Sequence, residues 1–404
     1  LSAAPASALP GFMLLGLGFL IKTSAVGLHV WMPGAYAEAP DDVSAMLSAV
    51  VSKVAIFGLF MATYVALRTD LGSDFNHGLA WIGMATTIVG AVLALSQTDI
   101  KRLLAFSSMS QLGYIITAVA LMSHIGWVTA LYLVANHMLV KGILFLAVAG
   151  IILRTSTRSL HDLGGLAPAM PLTCVVIGVA LLSMSGLPPL MGFGGKWLLL
   201  SAIVDKGWTG LAVAGAFATF LGLWYMLRLS TALFLRPASS KMQSPKEAPA
   251  ILFVAHVALI GGILILSLFP KLLMEPVSAA IDPVFAANLV WQGQSLETIY
   301  GLWDPAPVMG LSVAAAAILF LGWRGLSRLL GHRLSLGDWI ITARPLPAKA
   351  TPPLAETFWR ATDRATHRIA AVTQHIYTGD GQTYVLWVLA YFLALTFAWT
   401  LSGA

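Results

Sequence analysis

The sequence predicts an all-α, polytopic integral membrane protein with about ten transmembrane helices, two of them broken, and an amphipathic surface helix near the C-terminus. Three observations carry this. Of the 404 residues, 58% are hydrophobic and only 10% charged, against roughly 25% charged in a soluble domain. The mean hydropathy is +0.84. Apolar windows long enough to cross a bilayer recur at 9–35, 43–67, 79–97, 108–123, 125–153, 172–204, 208–235, 250–269, 306–323 and 383–401, where about 20 residues suffice for a span.

Taken in order, two windows are too long for one straight helix. The first carries Gly27 and Pro33 after Lys22, and the sixth carries Ser185-Gly186-Leu187-Pro188-Pro189 before Lys196. Proline removes a backbone donor and crowds the preceding turn, so Pro33, Pro188 and Pro189 are expected to break these helices. Irregular backbone at membrane depth must line protein or water, an arrangement that transporters exploit. The 108–123 window is the shortest of the ten. Beyond residue 270 a loop leads to one further span. A basic, proline-punctuated stretch follows at 324–353. Residues 355–376 then place Phe358, Ala361, Ala365, Ile369 and Val372 at helical spacing, with Arg360, Arg364, His367 and Arg368 between them. That pattern predicts an amphipathic helix on the membrane surface, facing lipid or a neighbouring subunit. The expected organisation is a transmembrane core at 1–270, a loop and extra span at 271–323, and a basic linker, surface helix and final span at 324–404.

Loops after odd-numbered spans hold fifteen basic residues, including Lys101, Arg102, Arg154 and Arg158, while the opposite loops hold three. The positive-inside rule makes the rich side cytoplasmic, most naturally in a bacterial or archaeal inner membrane. The sequence pI near 9.5 is therefore a matter of topology, and no nucleic-acid partner is expected. The start at Leu1 lacks the basic n-region of a signal peptide, and the chain is expected to be a fragment or processed piece. Cys174 is the single cysteine, too few for a disulfide or an iron–sulfur cluster. Neither a cofactor nor a metal is expected. Gly192–Trp197 superficially suggests a phosphate loop, but Leu190 and Trp197 occupy positions that need Gly and Ser/Thr.

Chemistry concentrates in four lysines set inside apolar windows: Lys22, Lys53, Lys141 and Lys196. A charge at the bilayer centre costs about 2.5–3.5 kcal/mol on insertion scales, and such residues commonly mark ion or proton paths. All 17 acidic residues fall in loops or near span ends, so no lysine has a mid-membrane carboxylate in this chain. Burial without a counter-charge brings the amine and ammonium closer in free energy, which suits a lysine to take up and release protons. His137 and Lys141 are four apart and share a helix face beside Asn136. Ser107, Ser108, Ser110, Gln111 and Tyr114 form a polar cluster able to hold water. His29 lies near Lys22's face as a gate or a structural cap. Each has a plainer reading: a lysine snorkelling at a span end, Lys196 bonded to the free carbonyls of the break, His137 as an interhelical histidine, serines bonding back into their own helices.

With these residues in view, LIKTSAVGLHVWMPGAYAEAPDDVSAMLSAVVSKVAIFGLF (20–60) resembles the lysine-bearing broken helix and following helix of the antiporter-like subunits. These subunits occur in respiratory complex I, multisubunit sodium/proton antiporters and membrane-bound hydrogenases. TDIKRLLAFSSMSQLGYI (98–115), NHMLVKGILFLAVAGI (136–151) and SGLPPLMGFGGKW (185–197) are similar to later stations of that family, in the same order. The resemblance covers roughly 10–270. It implies a core of inverted five-helix repeats, each supplying half an ion path. Lys22 then stands for the central lysine, Lys53 for the connecting lysine, His137 and Lys141 for the linking residues, and Lys196 for the lysine on the second broken helix. It further implies a non-redox subunit of an ion-translocating NADH-quinone oxidoreductase-like complex, carrying protons or sodium, with other membrane subunits and lipid as partners. The alternative is a non-pumping structural or truncated paralogue. The chain departs from the family in three ways. The family's first six or so helices are absent, with the glutamate that pairs the first lysine. Asp42-Val43-Ser44-Ala45 replaces the usual proline–valine–serine–alanine. Gly27 and Gly34 stand where proline and aspartate are frequent.

Overall fold

Hydrocarbon offers no hydrogen-bonding partner, so a segment that crosses it must satisfy its own backbone. The apolar windows do so as helices in the computed structural model, which describes residues 9–67, 72–235, 245–285, 287, 289–298 and 301–329. The chain divides into units Leu1–Ala343 and Arg344–Ala404, and the described residues all belong to the first. The expected surface helix at 355–376, the span at 383–401 and the basic stretch from 330 on lie outside the described residues.

The helices are α1 (Leu9–Lys22), α2 (Trp31–Glu38), α3 (Asp41–Met46), α4 (Ser52–Leu67), α5 (Gly72–Ser96), α6 (Ile100–Ala120) and α7 (His124–Thr155). There follow the single turn α8 (Leu166–Ala169), α9 (Pro171–Ser185), α10 (Met191–Asp205), α11 (Thr209–Ser230), α12 (Ala250–Leu268), α13 (Lys271–Phe285) and α14 (Pro305–Leu329). A π turn, Leu47–Val51, joins α3 to α4 as one helix, Asp41–Leu67. Among the described residues six helices are long and apolar enough to cross a membrane, and they coincide with six of the predicted windows.

The shortest window gives the most deeply enclosed of these six helices. α6 starts eight residues earlier than its apolar stretch, because Asp99 caps it by accepting hydrogen bonds from the Lys101 and Arg102 backbone N–H groups at 2.8 and 3.0 Å. Except for Arg102, every residue of α6 is buried, between α5 on one side and α7 on the other. A helix enclosed by protein need not be apolar around its circumference, which is why its serines and glutamine shortened the hydropathy signal.

Both long windows divide, but the first does not divide at its proline. α1 stops at Lys22, and 23–30 run irregularly through Ser24 (φ 59°) and Gly27 (φ 84°). Pro33 is the third residue of α2, inside the first turn, where no intrahelical N–H is required of it. The second window breaks at 186–190, which holds Gly186 (φ 76°), Pro188 and Pro189, with the bond between the prolines cis. α10 restarts where the Met191 N–H donates to Ser267 Oγ at 2.8 Å.

The stretch after 270, read from sequence as a loop, folds. α13 is amphipathic, and its buried Met274 and Ser278 pack towards α7, with Ser278 Oγ 3.2 Å from His124 Nε2. Strands β1 (Trp291–Gln292), β2 (Ser295–Thr298) and β3 (Gly301–Trp303) form a small antiparallel sheet that sets Trp303 against Gly194 of α10. Prolines inside a short amphipathic helix, and strands of two to four residues, leave little periodicity to detect.

Candidate functional site

The π turn shapes the first part of the site. In a turn closed i→i+5, carbonyls are displaced from regular α bonding and become available to side chains. The Ser48 carbonyl accepts from Lys53 Nζ at 2.5 Å and from Ser52 Oγ at 3.0 Å, and Lys53 Nζ also reaches Ser52 Oγ at 3.2 Å. Lys53, ten residues inside its predicted span, is 3% exposed. Tyr36 of α2 donates to the Leu47 carbonyl at 3.2 Å, tying the first broken helix to the same turn.

From there the polar groups continue without interruption across α6. Ser48 Oγ lies 2.9 Å from Ser108 Oγ, and Ser108 Oγ in turn donates to the Leu104 carbonyl at 2.9 Å. That carbonyl also accepts from Lys141 Nζ at 3.1 Å, and Lys141 Nζ bonds Ser107 Oγ at 2.5 Å. Hydrogen bonds thus tie Lys53 on α4 to Lys141 on α7 through the carbonyl and hydroxyl of Ser48, the Ser108 hydroxyl and the Leu104 carbonyl, and all of these residues are buried. His137, one turn from Lys141, interacts electrostatically with both lysines, and neither of its ring nitrogens has a hydrogen-bond partner among the described residues.

A second cluster surrounds Lys196. Its Nζ donates to the Met184 and Ser185 carbonyls, both at 3.0 Å, and lies 5.0 Å from the centre of the Tyr114 ring. The lysine of α10 therefore reaches back over the break to the end of α9, where helix carbonyls have no intrahelical donor. Tyr114 OH is 2.9 Å from Thr219 Oγ1, Gln111 Nε2 is 3.3 Å from Tyr225 OH, and Ser183 Oγ donates to Asn136 Oδ1 at 2.7 Å. Ser110 is buried on α6 between these clusters.

Lys22 is placed differently from the expectation of a buried centre. Its side chain is exposed at the end of α1, beside an open surface hollow lined by Gly18, Ile21 and Trp31. The cause is packing: among the described residues α1 rests chiefly on α4, leaving Leu14, Leu15 and Ile21 exposed on the same helix. His29 is buried in the first break, its ring 6.4 Å from that of Phe106. Pro33, Pro188 and Pro189 sit as described above.

The structure thus brings together Lys53, His137, Lys141, Ser107 and Ser108 in one group, and Lys196, Gln111 and Tyr114 in another. Sequence reasoning missed Ser48, Ser52, Tyr225 and Thr219. Ser48 and Ser52 carried a signal, being four apart in an apolar helix immediately before Lys53. Tyr225 and Thr219 carried none, because their partners on α6 are more than 100 residues away in the chain.

A family described as "NADH:quinone oxidoreductase/Mrp antiporter, TM" matches residues 4–222. The NADH-quinone oxidoreductase subunit N of Chlorobium chlorochromatii is 35% identical, over 66% of this chain and 53% of that protein. Hydrogenase-4 component B of Escherichia coli is 28% identical, over 98% of this chain and 70% of that protein. Among solved structures, a chain of an archaeal respiratory membrane complex, the membrane-bound sulfane sulfur reductase, matches with TM-score 0.72. It is 28% identical, and the match covers 97% of this chain and 69% of that one. The chain spans about half the length of the subunit N relatives it matches.

Proposed function

The chain belongs to the NADH:quinone oxidoreductase/Mrp antiporter transmembrane family, and from that premise we propose that it translocates protons as a membrane subunit of a larger complex, sodium being the other candidate ion. Lys22, Lys53, His137, Lys141 and Lys196 carry the charge. The reading rests above all on the buried polar cluster that holds Lys53 and Lys141, in which the Ser48 and Leu104 carbonyls accept from the two amines and the hydroxyls of Ser52 and Ser107 lie within reach of them.

An amine that holds and releases a proton, flanked by hydroxyls that both donate and accept, is a chemical fit for proton relay. Lys53 and Lys141 feel each other's charge, so a proton arriving on one favours departure from the other. His137 adds a third exchangeable site one turn away. Lys196 marks the far end of the path, poised on the second break.

Partners are other membrane subunits, as befits relatives that are named as components of oxidoreductases and hydrogenases. The basic loops that hold Lys101, Arg102, Arg154 and Arg158 are assigned to the cytoplasmic side of a bacterial or archaeal inner membrane. The fifteen-to-three split of loop cations supports that orientation.

The test is Lys141→Ala in the intact complex, reconstituted into vesicles with an internal pH dye. Proton movement should fall about a hundredfold or more while the subunit still assembles. Movement at the wild-type rate would sink the relay and favour a structural subunit.

A further inference from the structure

We propose that segment 156–170 is a strap that couples the two broken helices, with Arg158 and Glu247 as positioning residues at its ends. The proposal rests on the reading of both breaks as parts of one ion path.

At the first end, Arg158 grips the C-terminus of α2. Its Nη1 donates to the Ala37 carbonyl at 2.6 Å, its Nη2 lies 3.6 Å from Glu38 Oε1, and its Nε lies 3.2 Å from Asp99 Oδ2. Lys101 reinforces the same helix end, with Nζ 2.6 Å from the Ala39 carbonyl and 2.8 Å from Asp41 Oδ1. Ser44, from the divergent Asp42-Val43-Ser44-Ala45 stretch, donates to the Tyr36 carbonyl at 2.8 Å. Three successive groups thus hold the terminal carbonyls of α2.

The opposite charge holds the second broken helix. Glu247 Oε2 accepts from the Leu172 N–H at 2.9 Å, and Oε1 accepts from Thr173 Oγ1 at 2.5 Å, at the first turn of α9. Arg154, at the end of α7, donates to the Glu247 carbonyl at 2.9 Å. Two cations on a helix C-terminus and an anion on a helix N-terminus are the signs that the helix dipoles favour.

The chain between these ends is not a slack loop. Leu160, Leu163, Leu166 and Met170 are all buried in the main core. The Ile100 N–H donates to the Arg158 carbonyl at 3.0 Å, and the Leu160 N–H to the Thr98 carbonyl at 2.8 Å, fastening the strap to the start of α6. A close-packed segment of this kind passes on a displacement instead of absorbing it. A shift of α2 at the first break is thereby transmitted to α9 at the second.

Cys174, in the first turn of α9, is half-buried and the single cysteine of the chain, so it reports on the second end without engineering. The experiment measures maleimide labelling of Cys174 by subunit-resolved mass spectrometry in the native complex, together with proton translocation. Arg158→Gln, at the opposite end of the strap, should speed labelling by about fivefold or more and slow translocation, and Arg158→Lys, which keeps the charge but not the fork, should recover part of both. Glu247→Gln should speed labelling directly. If Arg158→Gln does not assemble, Lys101→Gln loosens the same helix end with the same expected acceleration. Labelling that rises in Glu247→Gln but not in the Arg158 or Lys101 variant overturns the coupling, and no rise in Glu247→Gln overturns the anchoring of α9. Lys141→Ala is judged on translocation alone, so failure of the relay would leave the labelling result standing.

Discussion

The two broken helices use the same ingredients, a lysine and a glycine at positive φ, and end in opposite situations. In the second, Lys196 is buried and folds back onto the carbonyls that the break exposes, under the Tyr114 ring. In the first, Lys22 ends its helix exposed and makes no hydrogen bond among the described residues, with Trp31 of α2 at its side. The second break lies among α7, α11 and α12, whereas α1 rests chiefly on α4. A lysine at a break is thus self-satisfied when neighbours enclose it and left open when they do not. The motif does not determine which.

The sharpest way to break this comparison is to remove each lysine in the same complex. Lys196→Ala and Lys22→Ala should both reduce proton translocation by about a hundredfold. Only Lys196→Ala should also lower the thermal midpoint, because it leaves two buried carbonyls without their donor, at about 1–3 kcal/mol. Equal melting temperatures for the two variants would mean that the buried contacts of Lys196 contribute nothing.

Glycine substitution gives the next largest contrast. Gly27 (φ 84°) has open space where a Cβ would stand, while a Cβ on Gly186 (φ 76°) would come within 2.4 Å of Lys196 Cδ. Gly27→Ala should cost about 1–2 kcal/mol of backbone strain and leave turnover within about twofold of wild type. Gly186→Ala bears the same strain and must also push Lys196 aside, so translocation should fall by about tenfold to a hundredfold. Vesicle acidification measured beside a melting curve separates strain from displacement.

The smallest effect belongs to the residue that looked like a breaker. Pro33→Ala, in the first turn of α2, removes only buried ring carbons, so it should cost about 1 kcal/mol and leave translocation unchanged. A large loss of either would return the origin of the first break to Pro33.

These contrasts mark what could be read in advance. The helices enclosing Lys53 and Lys141 were legible because a bilayer demands long apolar runs, and a lysine within one is conspicuous. The pairing of His137 with Lys141 was legible because four residues make one helical turn. The route between Lys53 and Lys141 was not, since it passes through Ser48 and Ser108, 60 residues apart, and through a backbone carbonyl that every residue possesses. α6 was under-read for the converse reason: its polar side chains, costly against lipid, are buried in protein, where Ser107, Ser108, Gln111 and Tyr114 find partners.

The sequence by itself determined that this chain crosses a membrane as helices, that two of its long windows break, and that four lysines and no carboxylate fall deep inside its apolar runs. Those properties follow from transfer free energy and backbone geometry, which act locally. Only the tertiary structure decided that Lys53 and Lys141 are tied through the same buried serines and carbonyls, that Lys196 closes on its own break while Lys22 stands open, and that Arg158 and Glu247 hold the ends of two broken helices. Each of these depends on which helix packs beside which, and a hydrogen bond reaches about 3 Å in space regardless of distance along the chain.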